Sequence, residues 1–451
     1  MKHPKRRPAS KSTARSDERL TALVANTRGE IFELDGYAAL GMAGATFTPL
    51  TRGMTRTLSH GGELMYLPDR SPVLYNCRRG AIECLDENPY APGEPLFPVA
   101  AFNSPGNLIT YHCAFRERPG ASSLPLFAYG AVGWLGGAFR SAFIRVDREP
   151  RQDLRLMPRA QVVAGIHRMQ KRLPGNRLRA HLETCALAYG CPAGKNFFLA
   201  RCEAPLPTSR VCNARCLGCL SLQSDPEIPS TQCRIAFTPS PEEIADVAVA
   251  HLRRVPDGVV SFGQGCEGEP LLAAEVIEPA LRIIRRTTGA GTINMNTNAS
   301  RPAILERLFA AGLDSLRVSL NSLRPACYAA YYRPQDYGLA EVVQSVDLGL
   351  RLGKWVSLNY LNLPGFTDLP AEVRALEAFL ADHAVHMIQW RNLNYDPLRY
   401  HQRMQQASAG GAPLGMEALL RRIRQAFPAL RHGYFNPALK KGTPQPVTPL
   451  A

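Results

Sequence analysis

The sequence predicts an α/β protein in which an open partial (βα)6 barrel follows a β-rich α+β accessory domain. After residue 238, short apolar segments alternate with helical segments, a pattern that is typical of the strands and helices around a parallel sheet. Before residue 150, short segments of strand-like composition are separated by turns and prolines, which is typical of antiparallel β-structure. A chain of 451 residues is long enough for two or three such units.

The barrel prediction depends on six strands. One leads into residue 212, and the others cover 258–262, 292–296, 315–320, 355–360 and 386–392. Helices are predicted at 241–254, 271–286, 302–311, 370–383 and 416–427, with a further helical region that ends at 353. The first helix has a defined start, because Ser240 suits the N-cap, Pro241 the first turn and Glu243 a capping box. Six strands are too few to close an eight-stranded barrel, so we expect an open sheet with its chemistry at the carboxyl ends of the strands.

Four regions are expected along the chain. They are a disordered basic tail at 1–20, an accessory domain of unknown role at 21–195, the barrel at 196–400 and a helical extension at 401–451. Within the accessory domain, strands are predicted at 63–67, 72–76 and 81–85, a hairpin at 126–146 and helical structure at 159–190. Gly136 and Gly137 lie between apolar stretches, which is typical of a hairpin turn.

Composition favours a cytoplasmic protein with large cores. Hydrophobic residues make up 45% of the chain, and the longest apolar run, at 124–139, is too short and too rich in glycine to span a membrane. No secretory signal is visible, so the twelve cysteines indicate reduced thiols rather than a disulfide scaffold. The net charge of +15 is compatible with RNA binding, but no basic strand with interleaved aromatic residues is present. Solvated arginine-rich surfaces are therefore the favoured interpretation.

Three cysteines in one short segment indicate a metal centre. Cys212, Cys216 and Cys219 have the spacing C-x3-C-x2-C, so their thiolates can face one centre. Thiolate ligands favour zinc, copper(I) or iron–sulfur clusters. A structural zinc site is normally closed by a fourth cysteine or histidine at regular spacing, which this segment lacks. A cluster with one open iron fits three ligands better, and a zinc loop remains the alternative.

Three further motifs follow the cysteine triplet in order. They are Val-Val-Ser-Phe-Gly-Gln-Gly-Cys-Glu-Gly-Glu-Pro at 259–270, Asn-Met-Asn-Thr-Asn at 294–298 and Leu-Arg-Val-Ser-Leu-Asn-Ser at 316–322. Together with the triplet they resemble the radical S-adenosylmethionine (radical SAM) family over residues 205–395. The motif style is nearest to the branch that contains the molybdopterin-precursor and peptide-maturing enzymes. No cysteine follows Cys327, which departs from the carboxy-terminal auxiliary-cluster region of those relatives.

The resemblance implies two cofactors, a [4Fe-4S] cluster and S-adenosyl-L-methionine (SAM). Each of the three cysteines would bind one iron, and the amino and carboxylate groups of SAM would chelate the fourth. The methionine amino group would be held by the loop Gly265, Cys266, Gly268 and Glu269, with Glu267 as the rival carboxylate. Short polar residues at strand ends would contact cofactor or substrate, or serve as ordinary turn residues: Asn296, Asn298, Ser319, Asn321 and Asn359. Arg391 is the best candidate for binding an anion, with an outward ion-paired arginine as the alternative.

The resemblance also implies a reaction class. The chain would reductively cleave SAM to a 5′-deoxyadenosyl radical that abstracts hydrogen from an unidentified peptide, protein or small molecule. A donor of flavodoxin or ferredoxin type would supply the electron. An RNA-modifying radical SAM enzyme and a non-catalytic metal-binding structural protein are the alternatives. Five more cysteines near the triplet are expected to pack in the core, with a second cluster as the alternative: Cys185, Cys191, Cys202, Cys233 and Cys266.

Overall fold

The amino-terminal part of the structure, a computed structural model that describes residues 17–407 and 411–439, is built from antiparallel strands. Their bounds are Thr21–Ala25 (β1), Ile31–Ala38 (β2), Leu40–Ala43 (β3), Thr46–Pro49 (β4), Arg56–Thr57 (β5), Glu63–Tyr66 (β6), Arg70–Asn76 (β7), Ala81–Cys84 (β8), Glu87–Asn88 (β9), Ala91–Pro95 (β10), Phe97–Phe102 (β11), Asn107–Ile109 (β12), His112–Cys113 (β13), Phe115–Glu117 (β14), Val132–Leu135 (β15), Ala138–Ser141 (β16) and Phe143–Arg145 (β17). Residues 1–16, most of the predicted basic tail, lie outside the described residues, as do 408–410 and 440–451 of the predicted extension.

One antiparallel sheet organises this region. Its main path runs β14-β7-β2-β1-β15-β16-β5, with β11, β6 and β8 attached at its sides. The predicted hairpin is present but shorter than expected, because only β15 and β16 pair. Gly136 and Gly137 connect them with φ angles of 62° and 78°, which are the left-handed conformations that two-residue hairpin turns require.

Three helices follow the antiparallel region: Arg159–Arg172 (α1), Arg177–Leu187 (α2) and Pro192–Leu199 (α3). The sequence predicted helical structure over 159–190, and the structure divides that stretch after α1. Pro174 and Gly175 separate the first two helices, with Gly175 at a φ of 73°. The side chain of Asn176 then caps α2 by accepting a hydrogen bond from the Arg179 amide at 2.9 Å.

A parallel sheet forms the second half of the structure, with strands Glu203–Pro205 (β18), Val259–Phe262 (β19), Thr292–Thr297 (β20), Ser315–Leu320 (β21), Trp355–Asn362 (β22), Met387–Asn392 (β23) and Arg431–Gly433 (β24). The strands lie in chain order and every neighbouring pair is parallel. Helices Pro241–Leu252 (α4), Ala274–Thr287 (α5), Pro302–Ala311 (α6), Pro325–Tyr332 (α7), Leu339–Arg351 (α8), Pro370–Asp382 (α9), Pro397–Ala407 (α10) and Met416–Ala426 (α11) connect or cover them. The fold class is confirmed as an α/β partial barrel after a β-rich region.

The sheet has one strand more than predicted, because β24 lies in the region interpreted as a helical extension. It is too short to give a strand pattern in the sequence. Asn436, just beyond it, joins distant strands of the sheet: its side-chain amide donates to Glu203 at 2.7 Å and accepts from Gln389 at 2.9 Å.

The predicted capping box of α4 is confirmed, since the Ser240 hydroxyl accepts from the Glu243 amide at 3.2 Å. In the described part of the chain, no helix is long and apolar enough to cross a membrane.

Strand β21 illustrates how the sheet separates core from cavity. Leu316, Val318 and Leu320 face the helices and are buried in the main hydrophobic cluster. Arg317 and Ser319 alternate with them and face the opposite side of the sheet. The concave face of the sheet is therefore polar, although its strands are otherwise rich in apolar residues.

The antiparallel and parallel regions are joined by buried polar contacts. Arg70 of β7 is fully buried and donates to Glu117 at 2.9 Å and to Asp396 at 3.2 Å. Asn392, at the end of β23, accepts from the Ile109 amide at 2.8 Å and donates to the Asn107 carbonyl at 2.9 Å. The accessory strands are thus fastened to the carboxyl end of the sheet.

Replacing Asp396→Asn is expected to lower the free energy of unfolding by about 3 kcal/mol, because it leaves the buried Arg70 guanidinium short of a counter-charge. Asparagine keeps the helix cap that Asp396 makes with the Leu398 amide. Urea denaturation measures the change. The matched control is Glu30→Gln, which breaks the exposed pair with Arg28 and should leave the midpoint unchanged. Equal midpoints for the two variants would contradict the expected role of Asp396.

Candidate functional site

A cavity of about 610 Å³ lies at the carboxyl ends of the parallel strands. Eleven of the thirteen predicted site residues line it: Cys212, Cys216, Cys219, Gly265, Gly268, Glu269, Asn296, Asn298, Ser319, Asn359 and Arg391. The other two, Cys266 and Asn321, do not line it. The cavity therefore brings together segments that are far apart in sequence, at the edge where a parallel sheet collects functional residues.

The cysteine loop is held against the end of α7. The Arg215 amide donates to the Tyr332 carbonyl at 3.0 Å, and the Leu217 amide donates to the Tyr331 carbonyl at 3.1 Å. These bonds flank Cys216 on both sides and fix its direction. Burial raises the pKa of the Cys212 thiol to about 12, with a further contribution from Glu269. A metal centre would supply the positive charge that three neighbouring thiolates need.

The donor set of the triplet fits a four-iron cluster. Burial, and next the Cys212 and Cys219 thiols, raise the pKa of the Cys216 thiol well above its usual value, so the three thiols are near one another. A structural zinc ion is normally closed by a fourth protein ligand. Three cysteines on a [4Fe-4S] cluster leave one iron open, which agrees with a triplet that lines a cavity.

Arg234 contacts the sulfur of the third cysteine. Its guanidinium donates to Cys219 Sγ at 3.6 Å and to the Ser221 hydroxyl at 3.2 Å. Gln223 supports the same turn by donating to the Cys219 carbonyl at 2.6 Å. Such contacts orient a ligand side chain from outside the metal's own coordination shell. No sequence motif distinguishes Arg234 from the other arginines of the chain.

The two carboxylates of the Gly-Glu-Pro loop are engaged with protein. Glu267 accepts from the amides of Thr208, Ser209, Gly263 and Gln264 at 2.6–3.0 Å. Burial raises the pKa of this carboxyl to about 7, and the four amide donors oppose the rise. Because all four acceptor positions of Glu267 are used, its function is to join β19 to the chain that enters the cysteine loop.

Glu269 has a comparable structural position. It accepts from the Leu271 amide at 3.1 Å, from the Asn298 amide at 2.8 Å and from the Thr297 hydroxyl. These bonds fasten the loop to the end of β20. The prediction that Glu269 holds a ligand amino group remains untested, and the contacts show that most of its acceptor capacity is already used.

Two glycines of the loop allow backbones to meet closely. A Cβ at Gly268 would overlap the carbonyl oxygen of Val211, and the Gly268 amide donates to the Ser209 carbonyl at 2.7 Å. A Cβ at Gly263 would overlap the carbonyl oxygen of Asn296, and Gly263 has a φ of 76°. The loop, the cysteine segment and β20 are therefore packed backbone against backbone.

The asparagines predicted as ligand contacts divide into two groups. Asn296 donates to the Gly263 carbonyl at 3.1 Å and Asn298 donates to Asn213 at 2.8 Å, so both brace the cavity wall. Asn321 is fully buried outside the cavity, where it donates to the Tyr400 hydroxyl at 3.0 Å. Asn321 follows the last residue of β21, and its side chain packs between α7 and α10, where it also donates to the Cys327 carbonyl at 3.2 Å. The structure therefore does not place Asn321 in the cavity with the other predicted cofactor contacts.

A separate set of cavity residues keeps polar atoms without protein partners. Asn359 Oδ1 and the Nε atoms of Arg317 and Arg391 are buried and unpaired within the described residues, as is the Tyr332 hydroxyl. The Arg391 guanidinium also lies over the Tyr434 ring, with 3.7 Å to its centroid. The residues that carry these atoms line the cavity, so its wall contains polar groups that the protein itself leaves unsatisfied.

Arg317 was not among the predicted site residues. Burial, and next the Arg391 guanidinium, lower the pKa of Arg317 to about 9, so Arg317 remains cationic at neutral pH. Two guanidinium groups in one cavity repel each other, and a bound anion would relieve the repulsion. The signal in the sequence was strand alternation, since Arg317 shares a face with Ser319.

A comparison with protein families identifies the region that carries this site. The family model described as Radical SAM superfamily matches residues 206–376, from the segment before Cys212 to the middle of α9. Residues 206–376 are thus similar to a radical SAM domain. The match includes the cysteine loop, the Gly-Glu-Pro loop and strands β19 to β22, so the matched region supplies most of the cavity wall. The antiparallel accessory region lies outside the match.

Individual relatives cover parts of the chain. It is 28% identical over 180 residues to Molybdenum cofactor biosynthesis protein 1 of Mus musculus, which covers 37% of this chain and 26% of that protein. It is 30% identical over 160 residues to the GTP 3′,8-cyclase of Alkaliphilus oremlandii. That alignment covers 35% of this chain and 46% of the cyclase. The crystal structure of a radical SAM methyltransferase from Sphaerobacter thermophilus is 19% identical in sequence. The superposition covers 50% of this chain and 63% of the methyltransferase, with a TM-score of 0.35. The matches thus span less than half the length of either curated relative.

Proposed function

We propose that this chain is a radical SAM enzyme that acts on an anionic substrate bound beside Arg317 and Arg391. The observation that carries the proposal is the single cavity in which the cysteine triplet, the glycine loop and unpaired polar atoms of β21 to β23 meet. When bound, a [4Fe-4S] cluster and SAM would supply a 5′-deoxyadenosyl radical for hydrogen abstraction. Cys212, Cys216 and Cys219 would hold the cluster.

The residues of this chain would position the reactants and exclude water. Glu267 holds the glycine loop against the segment before the cysteines, and Glu269 holds it against the end of β20, so that its backbone groups lie beside the cluster position. Ser319 and Asn359 occupy neighbouring registers of β21 and β22 on the cavity side and can donate to or accept from a ligand. The accessory strands close one side through Asn392. Fixed positioning of this kind keeps a reactive intermediate near its target.

The substrate class follows from charge. The unpaired Nε atoms of Arg317 and Arg391 favour a carboxylate or phosphate group, which two guanidiniums can bind through paired hydrogen bonds.

With SAM present, calorimetry should detect binding of carboxylate or phosphate compounds, GTP among them, to the wild-type chain. We expect the association constant of these anions for Arg391→Met to be at least tenfold lower than for the wild type. Equal affinity for a neutral analogue would contradict an anionic substrate.

The electron donor is proposed to be of flavodoxin or ferredoxin type. Val211 and Leu222 flank the cysteines and are 57% and 60% exposed. Arg210 and Arg215 are exposed in the same stretch of the chain. Exposed apolar and cationic side chains together suit an acidic redox protein, whose encounter is accelerated by charge.

Anaerobic reconstitution of the full chain with iron and sulfide tests the function. With dithionite and SAM, we expect 5′-deoxyadenosine and methionine in equal amounts, detected by chromatography. With a reduced ferredoxin in place of dithionite, the rate should fall as ionic strength rises. A chain that binds four irons but never cleaves SAM would refute the proposal and favour the structural metal-binding alternative.

A further inference from the structure

Three potential metal ligands meet outside the cluster position, between α2 and the glycine loop. His181 and Cys185 lie on α2, and Cys266 lies in the loop after β19. One ligand atom from each of the three lies within 4.8 Å of the other two. The two cysteines are almost completely buried, with exposed fractions of 1% and 5%. Residues more than 80 positions apart thus converge on one small volume.

The geometry of this group suits a single tetrahedral ion. His181 and Cys185 are four positions apart on a helix, which places them on the same face. Their ligand atoms, Nε2 and Sγ, are 3.5 Å apart. A zinc ion with bonds of about 2.1 Å to nitrogen and about 2.3 Å to sulfur would separate these atoms by about 3.6 Å. The ligands therefore already lie at the edge length of a zinc tetrahedron.

The same distances argue against a second iron–sulfur cluster at this place. Cluster thiolates bind separate irons and therefore stand farther apart than the ligands of one ion. Cys202, one of the five cysteines considered for a second cluster, lies elsewhere and contacts Glu149 at 3.8 Å. Imidazole together with thiolate ligands is a typical donor set for zinc.

We propose that His181, Cys185 and Cys266 bind one zinc ion, which fastens α2 to the glycine loop of the radical SAM domain. Cys266 is followed directly by Glu267, whose carboxylate holds the amides of Thr208 and Ser209 before the cysteine loop. An ion on Cys266 would therefore fix the loop from the side opposite the cavity. Three protein ligands leave the fourth tetrahedral position to water or to a nearby thiol.

Metal analysis of the full chain tests the site independently of SAM chemistry. The protein is produced with zinc and iron in the medium, purified without oxygen, and analysed by plasma mass spectrometry. We expect about one zinc and about four irons per chain. His181→Ala and Cys185→Ser should lose zinc and keep iron, whereas Cys84→Ser, a half-buried thiol of the accessory sheet, should keep both. A variant with Cys212, Cys216 and Cys219 all changed to alanine should keep zinc and lose iron, which separates this proposal from the proposed function.

Three results would overturn the zinc site. They are an absence of zinc from the wild-type chain, zinc that is unchanged in Cys185→Ser, and iron that rises to about eight per chain. A Cys185–Cys266 disulfide found by peptide mapping would equally exclude it. His181 is only half-buried, so His181→Ala keeps the test valid if Cys185→Ser fails to fold. Cobalt substitution adds a second readout, since a thiolate-to-cobalt absorption band should appear in the wild type and be absent from Cys185→Ser.

Discussion

Replacing Cys216→Ala is expected to reduce bound iron from about four per chain to near zero and to abolish formation of 5′-deoxyadenosine. Cys216 is the central ligand of the triplet, and backbone bonds to Tyr331 and Tyr332 flank it on both sides. The loop therefore cannot rearrange to offer another thiol in its place. Iron analysis, the visible absorption of the cluster and the chromatographic assay measure the three parts of the expected loss.

The matched control for Cys216 is Cys84→Ala. Cys84 is a half-buried thiol of β8 that does not line the cavity, and its loss should leave iron content and SAM cleavage at wild-type levels. Full cleavage by Cys216→Ala would contradict the assignment of the cluster to this triplet. Loss of folded protein rather than of iron would be visible by circular dichroism, which distinguishes a ligand from a core residue.

Gly268→Ala is expected to abolish SAM binding and to destabilise the cluster, although it adds only one methyl group. The new Cβ would overlap the Val211 carbonyl oxygen, and this neighbour is backbone that cannot rotate away. The Gly268–Ser209 and Glu269–Val211 hydrogen bonds would break, so the glycine loop would separate from the cysteine segment. A loss of two buried hydrogen bonds together with overpacking corresponds to several kcal/mol.

Gly338→Ala is the matched control for this substitution. Gly338 has a φ of −139°, and an added Cβ would meet its nearest atom, in Glu341, at 3.7 Å. This variant should bind SAM like the wild type when measured by equilibrium dialysis. If Gly268→Ala retained wild-type affinity, the close approach of the two loops would not be required for cofactor binding.

The sequence predicted the cavity because its motifs follow strands whose carboxyl ends meet. Cys212, Gly268 and Asn359 are reached by this rule without any knowledge of contacts. The rule does not show which polar side chains are used up within the protein. Glu269 and Asn298 are predicted as ligand contacts, yet each already has partners across a loop, and such pairings depend on tertiary distances that sequence spacing does not contain.

Arg317 and β24 were missed for different physical reasons. Arg317 obeys the same strand alternation that predicts Ser319. A single arginine in an apolar strand is nevertheless expected at the edge of a sheet, and only the structure shows that the concave face of this sheet is polar. Strand β24 spans only Arg431–Gly433, and its pairing with β23 depends on hydrogen bonds rather than on apolar periodicity. The short strands β6 and β8 were predicted because they have apolar residues bounded by turn residues, whereas β24 has no apolar residues.

The position of Asn436 in the chain and in the fold has a consequence for biosynthesis. This side chain bonds to Glu203 of the first parallel strand and to Gln389 of the sixth, while its carbonyl accepts from Arg151 at 2.8 Å. The barrel interior is thus completed by a residue that leaves the ribosome after all the other residues that line the cavity. The cell's assembly machinery could then deliver iron and sulfide productively only after translation has passed this position. Only from that point can the folding chain enclose an oxygen-sensitive iron–sulfur cluster.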